Sequence, residues 1–318
     1  MRAGNCSVRE QNQTQTWRFT TCNCNPCRTF IAKEDIHILV RSKRPSLEEA
    51  EGFPEDQIID VFKLKLLWIA EEFISEADEE DGVHMEDVAE DYVNEFINHN
   101  MIQIELLSQG GQVLICRVHD LVRDLAKEKA TEHKILGIFD STINKDIVKR
   151  DVEEVKLMCT RFSYLKVLDL TSVRSSEVIP DEIGDLILLK FLGLMGGIDE
   201  DVLVIPPSIG KLKKLQTLCG SRYYHTPYKH PKEMCELKEI RHLMFYTIDG
   251  KMNIGGDQTK RQTINCISYA ELHHIDTINW TNLHTLKITG SRGKEGEFYS
   301  LESIANLTNL QTLSVYME

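Results

Sequence analysis

The sequence predicts an α/β solenoid of short repeats preceded by a small, mostly helical domain. The first observation is a repeated string: residues 179–189 begin Ile-Pro, continue with Ile-Gly and end in leucine, and residues 205–215 repeat this pattern 26 residues later. The second is that the spacing Leu-x-x-Leu-x-Leu recurs before and after this pair. The third is that upstream apolar residues recur at helical spacing and then alternate over two short segments. Together these patterns predict repeats over 161–318 and a separate helical domain over 51–135.

The repeat length is typical of leucine-rich repeats, which run about 20–29 residues. Frames of this kind begin at Leu165, Leu189, Leu215, Ile240, Leu283 and Leu310. The gap of 43 residues between Ile240 and Leu283 is too long for one repeat and short for two, and Ile264-x-x-Ile267-x-Tyr269 matches the frame poorly. We therefore predict six good repeats and a seventh weak one. No polar capping helix follows the last strand, so we expect either further repeats beyond Glu318 or an end prone to fraying.

Alternation within each repeat assigns side chains to the two faces of a short strand. In the first repeat Leu165, Leu168 and Leu170 are predicted to point into the core. The intervening side chains are predicted to face a concave, partner-binding surface: Lys166, Val167 and Asp169. The asparagine that often follows the strand is missing, since Val173 and Gly197 stand at that position. We therefore expect irregular, variably curved repeats.

A loop rich in aromatic and basic residues is the predicted contact surface for a protein partner. Aromatic and arginine side chains are favoured anchors at protein interfaces. The candidate residues follow a repeat strand: Arg222, Tyr223, Tyr224, His225 and Tyr228. An ordinary irregular loop is the alternative interpretation.

Composition restricts the function further. The chain of 318 residues contains neither an apolar N-terminal signal nor a run of about 18 apolar residues, so we predict a cytoplasmic protein with no membrane span. The formal net charge is −13, and the acidic residues concentrate between Glu71 and Glu95. A nucleic-acid partner is disfavoured, because phosphate binding requires a basic face.

The cysteine pattern predicts reduced thiols and no metal site. Most of the nine cysteines are scattered, several of them in apolar patterns. Cys22, Cys24 and Cys27 lie close together, but a closed zinc site needs four ligands and no conventionally spaced fourth ligand follows. Residues 1–50 that contain them are unassigned and expected to be poorly ordered, and residues 136–160 are interpreted as a linker leading into the repeats.

The helical domain is predicted from two amphipathic stretches. Pro54, with acidic residues after it, provides a helix start. Apolar side chains then recur at spacings of three and four: Phe62, Leu66, Ile69 and Phe73. A second, more regular face follows in the stretch from Met85 to Ile97. Two such helices are expected to pack on each other.

A hairpin and a third helix complete a winged-helix-like pattern. The alternating segments 101–107 and 113–118 flank the pair Gly110-Gly111, which is typical of a β-hairpin turn. A helix is then predicted from His119 onward.

These segments resemble plant disease-resistance proteins of the coiled-coil nucleotide-binding leucine-rich-repeat class. The resemblance rests on four strings: Phe53-Pro54-Glu55-Asp56, Leu66-Leu67-Trp68-Ile69-Ala70-Glu71-Glu72-Phe73-Ile74, Glu86-Asp87-Val88-Ala89-Glu90-Asp91-Tyr92 and Val118-His119-Asp120-Leu121-Val122-Arg123-Asp124-Leu125-Ala126. In that class such strings form the last, winged-helix part of the nucleotide-binding (NB-ARC) region, directly before the repeats. The order is the same here.

The resemblance implies an intracellular immune receptor that senses a pathogen effector or a guarded host protein through its repeats and exchanges ADP for ATP. In the class, a Met-His-Asp motif ends the wing and its histidine contacts the ADP β-phosphate. Val118, His119 and Asp120 stand at these positions, so the methionine is replaced. The resemblance therefore makes His119 and Asp120 the candidate nucleotide-binding residues, with a helix cap as a second role for Asp120.

The phosphate-binding loop of the class, Gly-x-x-x-x-Gly-Lys-Ser/Thr, does not occur in these 318 residues. We therefore expect no cofactor and no catalysis from this chain alone, and interpret it as a truncated receptor or an incomplete gene product that depends on a nucleotide-binding domain in cis or in trans. A repeat scaffold without a switch is the alternative. A DNA-binding winged helix is disfavoured by the acidic helix from Met85.

Overall fold

The computed structural model describes residues 38–39, 58–74, 83–108, 110–122, 125, 148–171, 174–175, 179–197, 202–220, 227–247, 258–268, 277–290 and 304–317. The chain divides into two compact units, one of residues 1–36 and 49–137 and the other of 37–48 and 138–318. A two-residue strand, β1 (Ile38–Leu39), belongs to the second unit and pairs in parallel with residues 168–169. Cys22, Cys24 and Cys27 lie outside the described residues.

The helix that carries the predicted apolar stripe begins later than expected. Strand β2 (Ile58–Asp60) precedes helix α1 (Val61–Ala70), so this helix starts at Val61 and not at Pro54, which lies outside the described residues. Asp60 instead caps the helix, since its Oδ1 accepts a hydrogen bond of 2.9 Å from the backbone N–H of Lys63. The β-branched Ile58 and Ile59 are drawn into a sheet, which competes with the helix for these residues.

Helix α2 (Met85–Asn98) confirms the predicted amphipathic face. Its buried side chains are Met85, Ala89, Val93 and Phe96. The backbone N–H of His84 donates to Asp87 Oδ2 at 3.0 Å, which closes a capping box at the helix start. The two helices pack through Trp68 and Phe96, whose ring centroids lie 5.7 Å apart.

The wing is a three-stranded sheet. Strands β3 (Ile102–Leu107) and β4 (Val113–Val118) form the predicted antiparallel hairpin, and Gly111 in its turn has φ of 84°, which favours glycine. The sequence predicted two strands, but β2 pairs with the other edge of β4 to give the order β2-β4-β3. Helical residues 120–122 follow β4 directly.

In the second unit, helix α3 (Val148–Arg161) precedes the repeats and lies almost wholly in the predicted linker of 136–160. Its Val155 and Cys159 are buried in the same core as the leucines of the repeats. The predicted lead-in is therefore partly a helix that covers the first repeat.

Seven repeat strands and β1 form a sheet of eight strands in which each strand pairs in parallel with its neighbour. The strand bounds after α3 are β5 Val167–Asp169, β6 Arg174–Ser175, β7 Phe191–Gly193, β8 Gly196–Gly197, β9 Leu203–Val204, β10 Thr217–Cys219, β11 Pro227–Lys229, β12 His242–Met244, β13 Tyr246–Thr247, β14 Thr263–Ser268, β15 Thr285–Gly290 and β16 Thr312–Met317. The order of the large sheet is β1-β5-β7-β10-β12-β14-β15-β16. The remaining strands pair in smaller sheets, with orders β6-β8 and β9-β11-β13.

The strand register shows seven repeats and corrects the frame of the weak one. Equivalent core positions pair from strand to strand: Leu168, Leu192, Leu218, Leu243, Ile264, Leu286 and Leu313. Ile264 therefore holds the second leucine position, not the first, and Arg261 holds the first. A bulge between Ile264 and Ile267 then brings Ile267 opposite Ile288. The 43-residue gap divides into two repeats, which the arginine and the bulge concealed in the sequence.

Arg261 is 1% exposed although it stands in a leucine position. Its guanidinium Nη1 donates a hydrogen bond to the backbone carbonyl of Ile240, the residue at the same position in the preceding repeat. Burial of an arginine costs free energy unless such bonds compensate it. The fifth repeat therefore keeps its place in the sheet with a polar interior contact.

Short 3₁₀ turns connect the first strands on the opposite side of the unit. They span Asp181–Asp185, Pro207–Lys211 and Lys232–Glu236, and each follows a proline. Successive turns stack closely, since a Cβ on Gly184 would lie 2.5 Å from the backbone oxygen of Ser208. The repeated glycine is thus required for the distance between repeats.

Candidate functional site

His119 lies at the junction between β4 and the helical turn 120–122. Its backbone N–H donates to the Met101 carbonyl at 2.9 Å, which extends the β3–β4 pairing by one residue. Its Nδ1 accepts a hydrogen bond of 3.3 Å from the backbone N–H of Leu121. Val118 pairs with Ile102 at the end of the hairpin, and Asp120 is an exposed first residue of the turn. The structure therefore brings the three predicted residues together at one exposed junction.

The bond to Leu121 fixes the chemistry of the His119 ring. A neutral imidazole has one donor and one acceptor nitrogen, so acceptance at Nδ1 places the proton on Nε2. The ring can then donate from Nε2 to an anionic group while its other nitrogen caps the turn. His119 thus caps the Leu121 amide, and the predicted capping role of Asp120 stays a prediction.

A second candidate site is a row of donor side chains along the parallel strands of the repeats. We call it the donor row, and it consists of the residue directly before each strand: Lys166, Lys190, Gln216, Arg241, Gln262, His284 and Gln311. The backbone aligns its members, because the N–H of each member after Lys166 donates to the carbonyl of the member one repeat earlier at 2.8–3.0 Å. Every member carries a side-chain N–H donor and none is acidic.

The donor row is accessible along most of its length. All members except Gln262 are partly or fully exposed. Lys166 is the member that the alternation of apolar residues had placed on the concave surface. The sequence frame could have revealed the members outside the fifth repeat, since each directly follows the first core position of its repeat, whereas Gln262 was concealed by the misplaced frame.

The strand residues beside the donor row are more buried than predicted. Val167 and Asp169 were expected on an open surface, but both are buried. Asp169 Oδ1 accepts hydrogen bonds from the hydroxyl of Thr171 at 2.7 Å and from its backbone N–H at 3.2 Å. The carboxylate also lies over Gly193, where a Cβ would approach Oδ1 to 2.5 Å. Because Gly193 has no side chain, the Asp169 carboxylate can be buried above the neighbouring strand.

The predicted partner-contact loop is wrong at Tyr228. This side chain is 0% exposed, lies in β11, and packs against Phe245 with ring centroids 5.9 Å apart. Its hydroxyl donates to the Met195 carbonyl at 2.6 Å, so its polar end is satisfied inside the core. The other predicted members, Arg222, Tyr223, Tyr224 and His225, lie outside the described residues.

No group of three potential metal-ligating side chains occurs in the part of the chain that the structure describes. Burial, followed by the nearby Asp60 carboxylate, raises the pKa of the Cys116 thiol to about 11. A thiol with such a pKa is a poor nucleophile and a poor metal ligand near neutral pH. None of the helices among the described residues is long and apolar enough to cross a membrane.

Comparison with known proteins agrees with both units. Residues 53–126 match the winged helix domain of disease resistance proteins, and residues 147–318 match a leucine-rich repeat region. The chain is 33% identical over 262 residues to putative disease resistance RPP13-like protein 3 of Arabidopsis thaliana, covering 70% of this chain and 30% of the relative. It is 32% identical over 294 residues to disease resistance protein RPP13 of the same plant, covering 83% and 34%.

Similarity extends to a second group of plants. The chain is 25% identical over 313 residues to ToMV susceptible protein tm-2 of Solanum lycopersicum, covering 86% of this chain and 34% of the relative. The chain thus spans about a third of the length of these relatives. The two units define a class of protein in which a winged helix is followed in sequence by leucine-rich repeats. Within that class, the chain belongs to the plant disease-resistance proteins.

Proposed function

We propose that the chain is the recognition and relay part of a cytoplasmic plant immune receptor, acting by protein binding rather than by catalysis. The observation that carries this proposal is the order of the two matched regions, a disease-resistance winged helix and then leucine-rich repeats. The repeats would bind a pathogen effector or a guarded host protein. The winged helix would pass the binding event to a nucleotide-binding domain supplied in cis or in trans.

His119 and Asp120 are our candidates for contact with ADP when such a domain is present. Support comes from the resemblance of Val118-His119-Asp120 to the motif of the class and from the Nε2 proton that the Leu121 contact implies. The histidine would donate to a phosphate oxygen, and its loss would weaken the ADP-bound resting state.

The proposal can be tested by transient expression in leaves with a collection of pathogen effectors. When a nucleotide-binding domain is co-expressed in trans, we expect at least one effector to cause ion leakage with the wild-type chain, and no leakage after removal of residues 147–318. A winged-helix variant, His119→Ala, controls for the relay and should change the level of leakage without abolishing effector binding in co-precipitation. Equal leakage with and without residues 147–318 would contradict a recognition role for the repeats.

A repeat scaffold without a switch is the second candidate. It is favoured by the absence of a phosphate-binding loop from the sequence. Nucleotide released from the purified chain by denaturation and measured by chromatography separates the two candidates. A receptor whose nucleotide domain is supplied by a partner gains bound ADP when that partner is co-purified, whereas a scaffold does not.

A further inference from the structure

The two edge strands of the wing sheet differ in length and in cover. The sheet has the order β2-β4-β3, so β2 and β3 form its edges. Strand β2 is three residues long, continues directly into α1, and packs Ile59 against the winged-helix core. Strand β3 is six residues long, and among the described residues no strand pairs with its outer edge. This edge therefore presents main-chain N–H and carbonyl groups that a further strand could use.

Aliphatic side chains are exposed beside this edge. Ile104, Leu106 and Leu107 of β3 and Leu114 of β4 are each exposed by 43–49%. The register of the hairpin places Leu114 across from the two leucines of β3. A single exposed leucine is common at a protein surface, whereas a group of them indicates a contact surface. We call the outer edge of β3 together with these four side chains the wing edge.

The polar side chains of β3 are bound to β4 and do not protect the wing edge. Arg117 Nε lies 3.1 Å from Glu105 Oε1, and Arg117 Nη2 donates to Gln103 Oε1 at 3.0 Å. Natural edge strands are often protected from further pairing by lysine or proline. Strand β3 contains neither, and its one carboxylate is compensated by Arg117. The wing edge is therefore neutral and apolar, which favours an uncharged aliphatic partner over a charged one.

The register of the hairpin indicates which part of β3 could pair with a further strand. The pairing of β3 with β4 is regular from Ile102 to Ile104 and irregular on both sides of Leu106. Such irregularities twist a strand and limit the pairing along it. Main-chain hydrogen bonds to a partner are therefore expected along residues 102–104. The exposed leucines would be covered by the partner's side chains.

We propose that the wing edge binds an extended, uncharged aliphatic segment of a protein partner as an additional strand. Main-chain hydrogen bonds to β3 would supply affinity, and alternate side chains of the segment would contact Ile104, Leu106 and Leu107. The proposal goes beyond recognition by the repeats, because it assigns a separate contact surface to the winged-helix unit.

Binding of a labelled peptide to the purified full chain tests the proposal. The probe is a fluorescein-labelled ten-residue peptide of alternating valine and threonine, N-methylated on every second amide so that only one of its edges can pair. Its control is N-methylated on every amide and can pair at neither edge. We expect the probe alone to bind, with an affinity that changes little with salt because the contacts are uncharged. No binding of the probe up to millimolar concentration, or equal binding of the control, would overturn the proposal.

Two variants with the same change of charge locate the site. Ile104→Lys places a charge on the wing edge, and Leu313→Lys places one on β16, another six-residue edge strand, at a side chain exposed to a similar extent. We expect at least a tenfold loss of affinity in the first variant and less than a threefold loss in the second, because a lysine on an edge strand opposes further pairing. Equal losses, or a loss confined to Leu313→Lys, would contradict a site on the wing edge.

Two further measurements exclude loss of the fold and self-association. The uncharged double variant Leu106→Thr with Leu107→Thr keeps β-branched side chains in the strand, so it should retain the wild-type circular dichroism and still lose affinity for the probe. Unchanged affinity in this folded variant would contradict a contact with the leucines. Sedimentation velocity of the wild-type chain should show a monomer across the concentration range. Self-association that Ile104→Lys abolishes would make a second copy the occupant of the wing edge and would overturn the proposal.

Discussion

The first four repeats and the last three differ in regularity although they belong to one sheet. In residues 165–247 the first two core positions of every repeat are leucine or isoleucine, and proline-led 3₁₀ turns stack on glycine. In residues 258–317 an arginine and a tryptophan replace leucines, and β14 carries a bulge. The comparison shows that strand pairing preserves the solenoid where the consensus sequence fails.

Trp280 illustrates how a repeat tolerates such a replacement. Leu283 N–H donates to the Trp280 carbonyl at 3.2 Å, just as Leu189 N–H donates to the Leu186 carbonyl at 2.9 Å in a regular repeat. The backbone turn is therefore unchanged while a larger, fully buried side chain fills the interior. Since each repeat packs mainly on its neighbours, the effect of an irregular repeat is local.

The largest expected effect is a contrast between two leucines at the same position of the repeat. Leu192 is 0% exposed between β5 and β10, whereas Leu313 in β16 is 42% exposed. Leu192→Ala should lower the free energy of unfolding by about 2–5 kcal/mol, because it removes buried methyl groups and leaves a cavity. Leu313→Ala should cost less than about 1 kcal/mol. Urea denaturation followed by circular dichroism measures both, and similar losses would erase the distinction between the two regions.

Arg261 sharpens the comparison inside the irregular region. Arg261→Ala should lower the free energy of unfolding by about 2–4 kcal/mol, since a cavity forms and the contact with the Ile240 carbonyl is lost. Arg261→Leu restores the consensus and should cost less than about 1.5 kcal/mol or increase stability, because burial of a charge is avoided. Thermal unfolding of the two variants checks the order. A larger loss for leucine than for alanine would show that the arginine is essential for the repeat.

Gly184 tests the stacking of the regular turns. Gly184→Ala should cost about 1–3 kcal/mol, because its Cβ would lie 2.5 Å from both the Cβ and the carbonyl oxygen of Ser208. Gly210→Ala should cost less, since the nearest atoms there are at 2.9 and 3.0 Å. Gly110→Ala is the control, as its new Cβ meets only an ordinary contact at 3.8 Å. Denaturation midpoints that fall equally in all three variants would contradict a packing effect.

The smallest expected effect concerns Cys159, which lies in α3 where this helix covers the first repeat. Burial, followed by the nearby carboxylates of Glu182 and Asp185, raises the pKa of its thiol to about 12. The folded state therefore keeps a proton that the unfolded state loses above its pKa of about 8.5. The resulting stabilisation is present below pH 8.5 and is lost as the pH rises toward 12.

The contribution of the Cys159 thiol to the pH dependence of stability can be measured by comparing the wild-type chain with the variant Cys159→Ala. The decrease in unfolding free energy between pH 8 and pH 10.5 should be smaller in the variant than in the wild-type chain. Reaction of Cys159 with a thiol reagent at pH 8 should also require unfolding. Rapid labelling of the folded chain at this residue would contradict its burial.

Features that depend on the periodicity of apolar residues were predicted correctly from the sequence. Features that depend on contacts between distant residues were missed. The leucine spacing predicted the six regular strands, and the face of α2 predicted Val93 and Phe96 in the winged-helix core. The fifth repeat was placed in the wrong frame because no local pattern shows that an arginine can be buried against the Ile240 carbonyl. The start of α1 was missed because Ile58 and Ile59 pair with a strand more than fifty residues away.

For the candidate sites, too, the positions evident from a local motif were predicted and the details set by tertiary contacts were not. The position of His119 after the hairpin was evident from the motif, but the use of its Nδ1 as a helix cap depends on ring orientation. Tyr228 was taken for a surface anchor because it follows polar and aromatic residues, whereas its hydroxyl partner, the Met195 carbonyl, belongs to the preceding repeat. The donor row became recognisable only when the register aligned all seven strands.

Hydrogen exchange of the full chain, followed by mass spectrometry, tests most directly whether regular and irregular repeats share one sheet with unequal stability. We expect the amides of β7 and β10 to exchange slowest, those of β14 to exchange faster because a bulge interrupts its pairing with β15, and those of β16 to exchange fastest because Leu313 is 42% exposed whereas Leu192 is 0% exposed. Exchange at equal rates in all these strands, or slower exchange in β16 than in β7, would contradict the unequal stability of the two regions.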